Sequence, residues 1–433
     1  MNNGKFDEDQ LYIGTFKASV NDRWLSLCQA DRRRHMYVIG QTGSGKSTLM
    51  NNCILQDILA GRGLGFIDPH GDSAELIIDS IPKHRVRDVV YFNPADTDYP
   101  LGFNPLRGVP EHLHATATAN LIAAFRSIWR EFWGPRMEHI LSNTIASLMA
   151  YPDNLGISLL AIPKMLTDER FRGKILRHVK DPVVLAFWQE EFARYDPRHR
   201  AEIISPILNK MGAFARNPVM RNILGQGRST FDLSYIMDNR KILIVNLAKG
   251  VLGEDMTNLL GSLLVTAVQQ EAMKRSEIPE ESRVDFHFYI DEFQNFTTDA
   301  FDSIVSEARK MRLSLIIGHQ YLAQIPPQIS KAILGNVGNL IMFTLSGADA
   351  ETMAVEIKPF NTQTLREQAR GEMLVRYIED GISKEPVLLS GIVLERRVGS
   401  RQAVINNSRT RFGKPKHKVE TKLQKWLSSH TYG

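Results

Sequence analysis

Residues 40–47 are Gly40-Gln41-Thr42-Gly43-Ser44-Gly45-Lys46-Ser47, and they match the pattern G-x-x-x-x-G-K-[ST] in full. An apolar segment typical of a strand, Met36–Ile39, comes directly before them, and an apolar helical segment, Leu49–Leu59, comes after. Glycines let the backbone of such a loop wrap an anion, and the first helical turn offers free N–H groups and the positive end of its dipole. The local sequence therefore predicts a strand, a phosphate-binding loop and a helix.

The end of this loop predicts a nucleotide site. Lys46 is expected to reach the β- and γ-phosphates, and the hydroxyl group of Ser47 is expected to bind Mg²⁺. The other predicted nucleotide-binding residues of the loop are Gly40, Thr42, Gly43, Ser44, Gly45 and Thr48. The predicted ligands are ATP and Mg²⁺, and such a site needs an acidic residue at the end of another strand.

That acidic residue is predicted after a second buried strand. The segment Phe286–Ile290 leads directly into Asp291 and Glu292. We expect Asp291 to hold Mg²⁺ through water and Glu292 to polarise the attacking water as a general base. Two surface acids that close a buried strand are the alternative, and the presence of the phosphate loop favours catalysis.

Further candidate residues follow within thirty positions. A helix predicted over Phe301–Met311 leaves Arg309 and Arg312 near its end, and the next predicted strand, Leu313–Ile317, leads to Gln320. A glutamine at this edge of a sheet can sense the γ-phosphate. A plain loop residue is the alternative, and the other two motifs favour the functional interpretation. Arginines near a strand edge are usually salt-bridge partners, but in a ring ATPase one of them can complete the neighbouring subunit's site as an arginine finger. Arg309 is the first candidate for this role and Arg312 the second.

The fold class follows from short β-rich apolar segments that alternate with helical patterns. Several of these segments are continuously apolar, as expected for strands of a parallel sheet covered on both faces. The predicted strands are Met36–Ile39, Leu64–Ile67, Val89–Phe92, Ile242–Val245, Phe286–Ile290, Leu313–Ile317 and Leu340–Phe343. Together with the phosphate loop, they predict an α/β fold with a RecA-like P-loop NTPase core and a mostly parallel sheet.

The middle of the chain has a different character, with helical periodicity and few strand candidates. One helix is predicted to begin at Pro135. Its predicted buried face consists of Met137, Ile140, Leu141, Thr144, Ile145 and Leu148. We predict an all-helical insertion at 105–239, between the two parts of the RecA-like domain at 1–104 and 240–390. A basic segment at 391–433 completes the predicted organisation.

Positive charge is concentrated in two places. The formal net charge is +5, and ten Lys or Arg fall between Arg396 and Lys425 against one acid, Glu420. In the same segment we predict a loop at 406–408 and a short helix at 418–427. Three consecutive arginines, Arg32 to Arg34, precede the phosphate loop. A solvated surface and a contact with nucleic acid are both open interpretations of these basic runs.

The location expected from the sequence is the cytoplasm. The two cysteines, Cys28 and Cys53, form no paired or metal-binding motif, which fits a reducing compartment. No apolar segment approaches the roughly 18 residues of a membrane span, so contact with a membrane would require partners.

Four motifs, in this order, resemble those of a known family: the phosphate loop, the segment Phe66–Asp72, the strand end Tyr289–Phe296 and the segment Arg309–Gln320. Together they resemble the HerA/FtsK superfamily of DNA-pumping P-loop ATPases. Within it, the chain is most similar to soluble versions of TraD/VirD4-type conjugative type IV secretion coupling proteins. The resemblance implies a homohexameric ring that binds ATP between subunits and moves DNA by contacts to its backbone, without sequence preference. It also implies a relaxase, a secretion-system protein or an effector protein as partner.

The resemblance assigns roles to two arginines. Arg309 stands eleven residues before Gln320, where the family's arginine finger lies. Arg34 stands twelve residues before Lys46 and matches a second arginine that approaches the nucleotide. The roles of Lys46 and Gln320 are the same by resemblance as by the pattern itself.

Three functions remain open at this point. The first is a DNA translocase acting in conjugation, in the mobilisation of an element or in defence. The second is an ATPase that drives a protein machine, as VirB4-like secretion motors do. The third is a nucleotide-gated scaffold for an effector protein, and the presence of Glu292 disfavours it because a binding switch needs no general base.

Overall fold

The computed structural model describes residues 7–16, 23–298, 301–393 and 399–428. Its strands are β1 (Gln10–Phe16), β2 (Trp24–Cys28), β3 (Met36–Ile39), β4 (Gly63–Asp68), β5 (Val89–Phe92), β6 (Ile242–Asn246), β7 (Phe286–Ile290), β8 (Leu313–His319), β9 (Asn339–Met342), β10 (Glu372–Arg376), β11 (Ile378–Glu379), β12 (Ile382–Ser383) and β13 (Val387–Gly391).

Its helices are α1 (Gln29–Arg32), α2 (Lys46–Leu59), α3 (Asp72–Asp79), α4 (His114–Ile128), α5 (Pro135–Ala150), α6 (Ala161–Thr167), α7 (Glu169–Leu176), α8 (Pro182–Ala186), α9 (Pro197–Arg216), α10 (Pro218–Leu224), α11 (Leu233–Asp238), α12 (Lys249–Leu252), α13 (Glu254–Lys274), α14 (Phe301–Glu307), α15 (Pro327–Asn336), α16 (Gly347–Met353), α17 (Thr362–Arg366), α18 (Arg401–Phe412) and α19 (Lys416–Ser428). None of the helices in the described part of the chain is long and apolar enough to cross a membrane.

The chain divides into two compact units. The first, which we call the sheet unit, consists of residues 1–92, 233–247 and 268–407, and the second, the helical unit, consists of residues 93–232, 248–267 and 408–433. The boundaries predicted at 105, 240 and 391 stay a prediction.

The sheet unit contains an 11-stranded sheet with the order β2-β1-β13-β10-β9-β3-β8-β7-β4-β6-β5. The seven strands from β9 to β5 are parallel to one another. They are the seven strands predicted from the sequence, and the prediction of a mostly parallel RecA-like core is confirmed. Every residue in these strands is buried, which explains why their sequences are continuously apolar.

Four further strands, which the sequence analysis did not predict, extend the sheet on one side. β10, β13, β1 and β2 pair antiparallel, beginning with β10 against β9. In β1 and β2 the buried leucines and Ile13 are separated by half-buried residues, so the apolar pattern is weaker than in the parallel strands. Gly14 allows a close approach here, because a Cβ atom on it would lie 2.6 Å from the carbonyl oxygen of Ser390.

Two of the predicted local structures need correction. The helix expected over Phe301–Met311 ends at Glu307, because the chain turns where the N–H of Leu313 bonds to the carbonyl oxygen of Ala308 and Arg312 adopts a φ of 52°. The loop expected at 406–408 is wrong, since these residues lie within α18. The helix predicted over 418–427 is confirmed as α19.

Helices dominate the chain from residue 93 to 241, all of which is described, and no strand occurs there. α5 begins at Pro135 as predicted, and the six residues of its predicted apolar face are buried. α8, α9 and α10 each begin with a capping Asp or Asn followed by proline, which satisfies the first N–H groups and stops the preceding helix. Within the helical unit, α5 packs against α4, α6 and α9, and α10 packs against α19.

The three arginines before the phosphate loop do not form one exposed basic run. Arg32 is 3% exposed, and its guanidinium group donates two hydrogen bonds of 2.7 Å to the carboxylate of Asp57. Arg33 pairs with Asp285 over 2.7 Å. For Arg32, the interpretations as a solvated surface residue and as a nucleic-acid contact are therefore both wrong, because its charge is paired with Asp57 inside the protein.

Candidate nucleotide site

Three neighbouring parallel strands end at the same edge of the sheet, and each is followed by predicted site residues. β3 leads to the phosphate loop, β7 to Asp291 and Glu292, and β8 to Gln320. Because β8 lies between β3 and β7, the structure brings these side chains together. The carboxyl edge of a parallel sheet is where ligands bind in α/β proteins of this kind.

The phosphate loop has the backbone that its glycines predict. Gly43 and Gly45 adopt φ values of 80° and 128°, which residues with a Cβ atom rarely take. Gly40 is needed for packing, because a Cβ atom there would lie 2.6 Å from Cβ of Phe343. α2 begins at Lys46 without a side-chain cap, so its first N–H groups remain available for phosphate oxygens.

Lys46 lies over the loop and is 5% exposed. Its Nζ donates hydrogen bonds to the carbonyl oxygens of Gly40 and Gln41, over 2.6 and 3.1 Å. Burial lowers the pKa of Lys46, and the charges of Glu292 and Asp291 oppose that shift. The ammonium group is thus held among the backbone groups that would surround a phosphate.

Asp291 and Ser47 form the part of the site that fits a divalent cation. The hydroxyl group of Ser47 donates a hydrogen bond of 3.3 Å to Oδ2 of Asp291, which is 5% exposed. Burial, together with the nearby carboxylates of Glu292 and Asp68, raises the pKa of Asp291 to about 6. A carboxylate whose charge is disfavoured in this way, beside a hydroxyl oxygen, has the oxygen chemistry that Mg²⁺ prefers.

Protein side chains alone do not complete a metal site here. Among the described residues, no group of three or more His, Cys, Asp or Glu is placed to hold a metal ion. Mg²⁺ in nucleotide sites takes several ligands from water and from the substrate phosphates, so one hydroxyl group and one carboxylate fit it. Asp68, in contrast, bonds to the backbone: its carboxylate accepts the N–H groups of His70 and, in the first turn of α3, of Ala74, each over 2.9 Å.

Gln320 connects the phosphate loop with Glu292. Its Nε2 donates a hydrogen bond to Oε1 of Glu292, and its Oε1 accepts one of 3.0 Å from the hydroxyl group of Thr42. Glu292 is 7% exposed and adopts a left-handed φ of 48°. The predicted general base, the predicted sensor and the loop are therefore joined in one chain of hydrogen bonds.

The three predicted arginines lie at the opposite edge of the sheet. Arg34 precedes β3, and Arg309 and Arg312 precede β8, so a strand of about 13 Å or more separates them from the phosphate loop of the same chain. Arg309 is exposed, and its charge contributes to lowering the pKa of His35. Arg312, in contrast, donates a hydrogen bond of 2.9 Å to the carbonyl oxygen of Arg283. Their roles at a nucleotide stay predictions that would involve a second copy of the chain.

Two polar residues of the site were missed by the sequence analysis. Gln294 donates a hydrogen bond of 2.6 Å to Oε2 of Glu292. His319 is fully buried and hydrogen-bonded to the hydroxyl group of Tyr37 over 2.7 Å, and burial lowers its pKa to about 3, so the ring is neutral at pH 7. Gln294 could have been found as a polar residue two positions after the general base in an aromatic segment.

Fold and site together define a P-loop NTPase of the RecA-like type. The chain belongs to the family described as the central domain of the helicase HerA, whose family model matches residues 14–268. A second family model, described as the TraM recognition site of TraD and TraG, matches residues 285–356. The resemblance inferred from the motifs is therefore confirmed. None of the curated protein sequences matches the chain.

Similar solved structures include a bacterial conjugative coupling protein and VirB4. The conjugative coupling protein TrwB in an unbound form is 13% identical, has a TM-score of 0.62, and is matched over 86% of this chain and 88% of its own. TrwB in complex with ADP and Mg²⁺ has a TM-score of 0.60, 13% identity and the same coverage. VirB4 of Thermoanaerobacter pseudethanolicus is 13% identical with a TM-score of 0.58, over 92% of this chain and 99% of its own. At this identity the similarity shows the fold.

Proposed function

We propose that this chain binds ATP with Mg²⁺ and hydrolyses the ATP. The observation that carries the proposal is the hydrogen-bonded link from Thr42 of the phosphate loop through Gln320 to the buried Glu292. A general base must lie within hydrogen-bond reach of the attacking water, on the side where the γ-phosphate arrives. The link to the phosphate loop supports this role for Glu292, which a nucleotide-gated scaffold would not require.

Each residue at this edge has a distinct part in the proposed reaction. The N–H groups of α2 and the ammonium group of Lys46 bind phosphate oxygens, and Ser47 and Asp291 hold Mg²⁺. Mg²⁺, when bound, neutralises negative charge on the phosphate oxygens. Glu292 takes a proton from the attacking water, and Gln320 senses whether the γ-phosphate is present.

We also propose that the working form is a homohexameric ring. Arg309 is exposed and lies at the edge of the sheet opposite its own phosphate loop. In a ring, this edge of one subunit can face the nucleotide of the next, so that Arg309 acts as an arginine finger. Arg34 lies at the same edge, and its guanidinium group has no hydrogen-bond partner within the described chain. It is the second residue that we assign to the neighbour's nucleotide.

DNA is the substrate that we propose for this motor, and the support lies in the helical unit. A cavity of about 530 Å³ is lined by Arg228, Lys414, Lys418 and Lys422, and its lining residues include no Asp or Glu. Burial lowers the pKa of Lys414, and the charge of Lys422 lowers it further. Like charges gathered in this way repel one another, and a polyanion such as the DNA backbone would offset the repulsion.

The process that we propose is conjugative DNA transfer or the mobilisation of an element, with a relaxase or secretion-system protein as partner. The matches to a TraD and TraG family model and to the coupling protein TrwB support it. The second candidate is a motor of a protein machine, which the equally extensive match to VirB4 favours. The cationic cavity favours DNA over this alternative.

One experiment tests both parts of the proposal. ATPase rates are measured with and without single- and double-stranded DNA, on protein whose oligomeric state has been determined and with Lys46→Ala as the inactive control. We expect stimulation by DNA that weakens steeply with salt. Hydrolysis that ignores both kinds of DNA and responds to a secretion protein would support the second candidate, and no hydrolysis under any condition would contradict the ATPase itself.

A further inference from the structure

Both carboxylate oxygens of Glu292 are occupied by glutamine amides. Nε2 of Gln294 donates a hydrogen bond to Oε2 over 2.6 Å, and Nε2 of Gln320 donates one to Oε1. The reaction proposed above gives Gln320 a role and gives Gln294 none. Because hydrogen bonds to an ionised group are strong and directional, the two amides together fix the direction in which the carboxylate points.

The two glutamines are held in place by different parts of the protein. Gln294 lies on the 3₁₀ turn Phe293–Phe296, whose two phenylalanines are 0% and 1% exposed. The ring of Phe293 packs against His319 and Phe301, with centroids 5.1 and 5.4 Å apart. Gln294 is therefore anchored in the core of the sheet unit.

Gln320, in contrast, is shared between the general base and the phosphate loop. It follows β8 directly, and its Oε1 accepts the hydrogen bond of Thr42. Thr42 belongs to the loop predicted to receive the phosphates, so we expect an arriving γ-phosphate to contact Gln320 and not Gln294. The two hydrogen bonds to Glu292 are thus expected to respond differently to the nucleotide.

The backbone of Glu292 is strained, and it does not by itself fix the direction of the carboxylate. Its φ of 48° is left-handed, a conformation that glycine adopts more readily than glutamate. The N–H of Glu292 donates a hydrogen bond of 3.0 Å to Oδ1 of Asp291, which fixes the backbone but not the side chain. The orientation of the carboxylate depends on Gln294 and Gln320.

We propose that Gln294 is a positioning residue that holds Oε2 of Glu292 throughout the cycle, while Gln320 exchanges its bond to Oε1 for one to the γ-phosphate. This inference rests on the proposed ATP hydrolysis. Once Gln320 has moved, Oε1 accepts a proton from water, the water oxygen bonds to the γ-phosphorus, and the bond from that phosphorus to the ADP oxygen breaks. Before nucleotide binds, both oxygens are occupied and the base is kept from water.

The kinetic test uses Gln294→Met, which keeps the length of the side chain and removes the donor. We expect kcat to fall about tenfold or more, with KM and the affinity for a non-hydrolysable ATP analogue within about twofold of wild type. Gln294→Glu should lower kcat further, because a second carboxylate repels the first. A matched control is Gln363→Met, which removes a similar Gln–Glu contact of 3.1 Å on the exposed surface and should leave kcat unchanged.

A second measurement tests the contact without hydrolysis. In a double-mutant cycle on the melting temperature of the nucleotide-free protein, Gln294→Met and Glu292→Ala should be non-additive, because the two residues share one hydrogen bond. An unchanged kcat in Gln294→Met, a loss confined to KM, or additive effects on melting would overturn the proposal while wild-type ATPase activity persists. An inactive wild-type protein would overturn the ATPase function and this inference together, whereas the melting cycle reports on the contact alone.

Discussion

The hydroxyl group of Ser47 donates a hydrogen bond to Oδ2 of Asp291 over 3.3 Å, although 244 positions separate the two residues in the chain. The contact joins the start of α2 to the end of β7 and marks the place where Mg²⁺ is expected. Asp291→Asn should weaken binding of a fluorescent ATP analogue roughly 10- to 100-fold in Mg²⁺, because the amide supplies no charge to the cation's water ligands. In EDTA the affinity should not fall.

The control for this prediction is Asp255→Asn, an exposed aspartate of the helical unit. It should bind the analogue as the wild type does in both conditions. An equal loss for Asp291→Asn with and without Mg²⁺ would mean that the residue supports the fold of the loop and not the metal.

Glu292→Gln should retain nucleotide binding and lose turnover by roughly 10²- to 10⁴-fold, because the amide cannot accept the proton of the attacking water. The measurements are steady-state ATPase activity and the affinity for the same analogue. Glu281→Gln, at an exposed position in the same unit, is the matched control and should keep its activity. Hydrolysis that survives Glu292→Gln would assign the general base to another group.

Arg309→Ala should also abolish turnover without abolishing ATP binding, because the missing charge acts on the transition state in the neighbouring site. An equimolar mixture of Arg309→Ala and Glu292→Gln subunits should regain about a quarter of the wild-type rate, since one interface in four combines the two intact halves. Arg312→Ala, whose guanidinium group bonds to a carbonyl oxygen, should not behave in this way. No recovery in the mixture would argue against a shared site.

The parallel core could be predicted from the sequence because strands that are buried on both faces consist of continuous apolar runs. All residues of β3 and β7 are buried, and their apolar sequences are followed directly by the phosphate loop and by Asp291. The antiparallel strands were missed for the opposite reason. In β1 and β13, buried residues are mixed with half-buried or exposed ones, so neither strand shows a continuous buried apolar run.

Side-chain partners across the fold could not be predicted. Arg32 looked like part of a basic run, but Asp57, on the buried side of α2, neutralises it. The left-handed backbone of Glu292 and its contact with Gln294 are also invisible to pattern analysis, because they depend on how the chain leaves β7. Sequence patterns therefore predict which residues act, and the structure adds which side chains contact them.

If the cationic cavity of the helical unit binds DNA, its lysines should set part of the salt dependence of DNA binding. Replacing both Lys418 and Lys422 by alanine should weaken DNA binding and reduce the slope of log K against log salt by roughly 1.5 to 2, about one for each lost phosphate contact. Fluorescence anisotropy at several salt concentrations measures the slope. The exposed lysines Lys83 and Lys331 of the sheet unit are the control pair, and an equal effect in both double variants would remove the cavity from the DNA path.

Asp57 is predicted to be important for stability and not for chemistry. Burial alone would raise its pKa, but Arg32 holds the pKa well below the usual range, and Tyr289 and Arg62 add hydrogen bonds of 2.6 and 2.8 Å. Asp57→Asn leaves a buried guanidinium charge unpaired, which should cost about 3–5 kcal/mol, or roughly 10 °C in melting temperature. Asp285→Asn, which breaks the half-exposed pair of Arg33, should cost about 1 kcal/mol or less, and equal losses would contradict the distinction.

Buried histidines should make the fold sensitive to mild acid. Burial lowers the pKa of His287 to about 3 and that of His35 to about 4, below the 6.5 of an exposed ring, so the unfolded chain binds protons first and stability falls as the pH drops from about 6.5 towards 4. At pH 5, each ring should cost roughly 2 kcal/mol. The pKa of Asp291 is raised to about 6, so its protonation stabilises the fold as the pH falls and opposes the effect of the histidines. The test therefore compares the change in melting temperature with pH between a histidine variant and the wild type. Between pH 7.5 and 5, the melting temperature of His287→Gln should fall less than that of the wild type. The exposed control His84→Gln should match the wild type. An unchanged fall in His287→Gln would show that this ring does not titrate on unfolding.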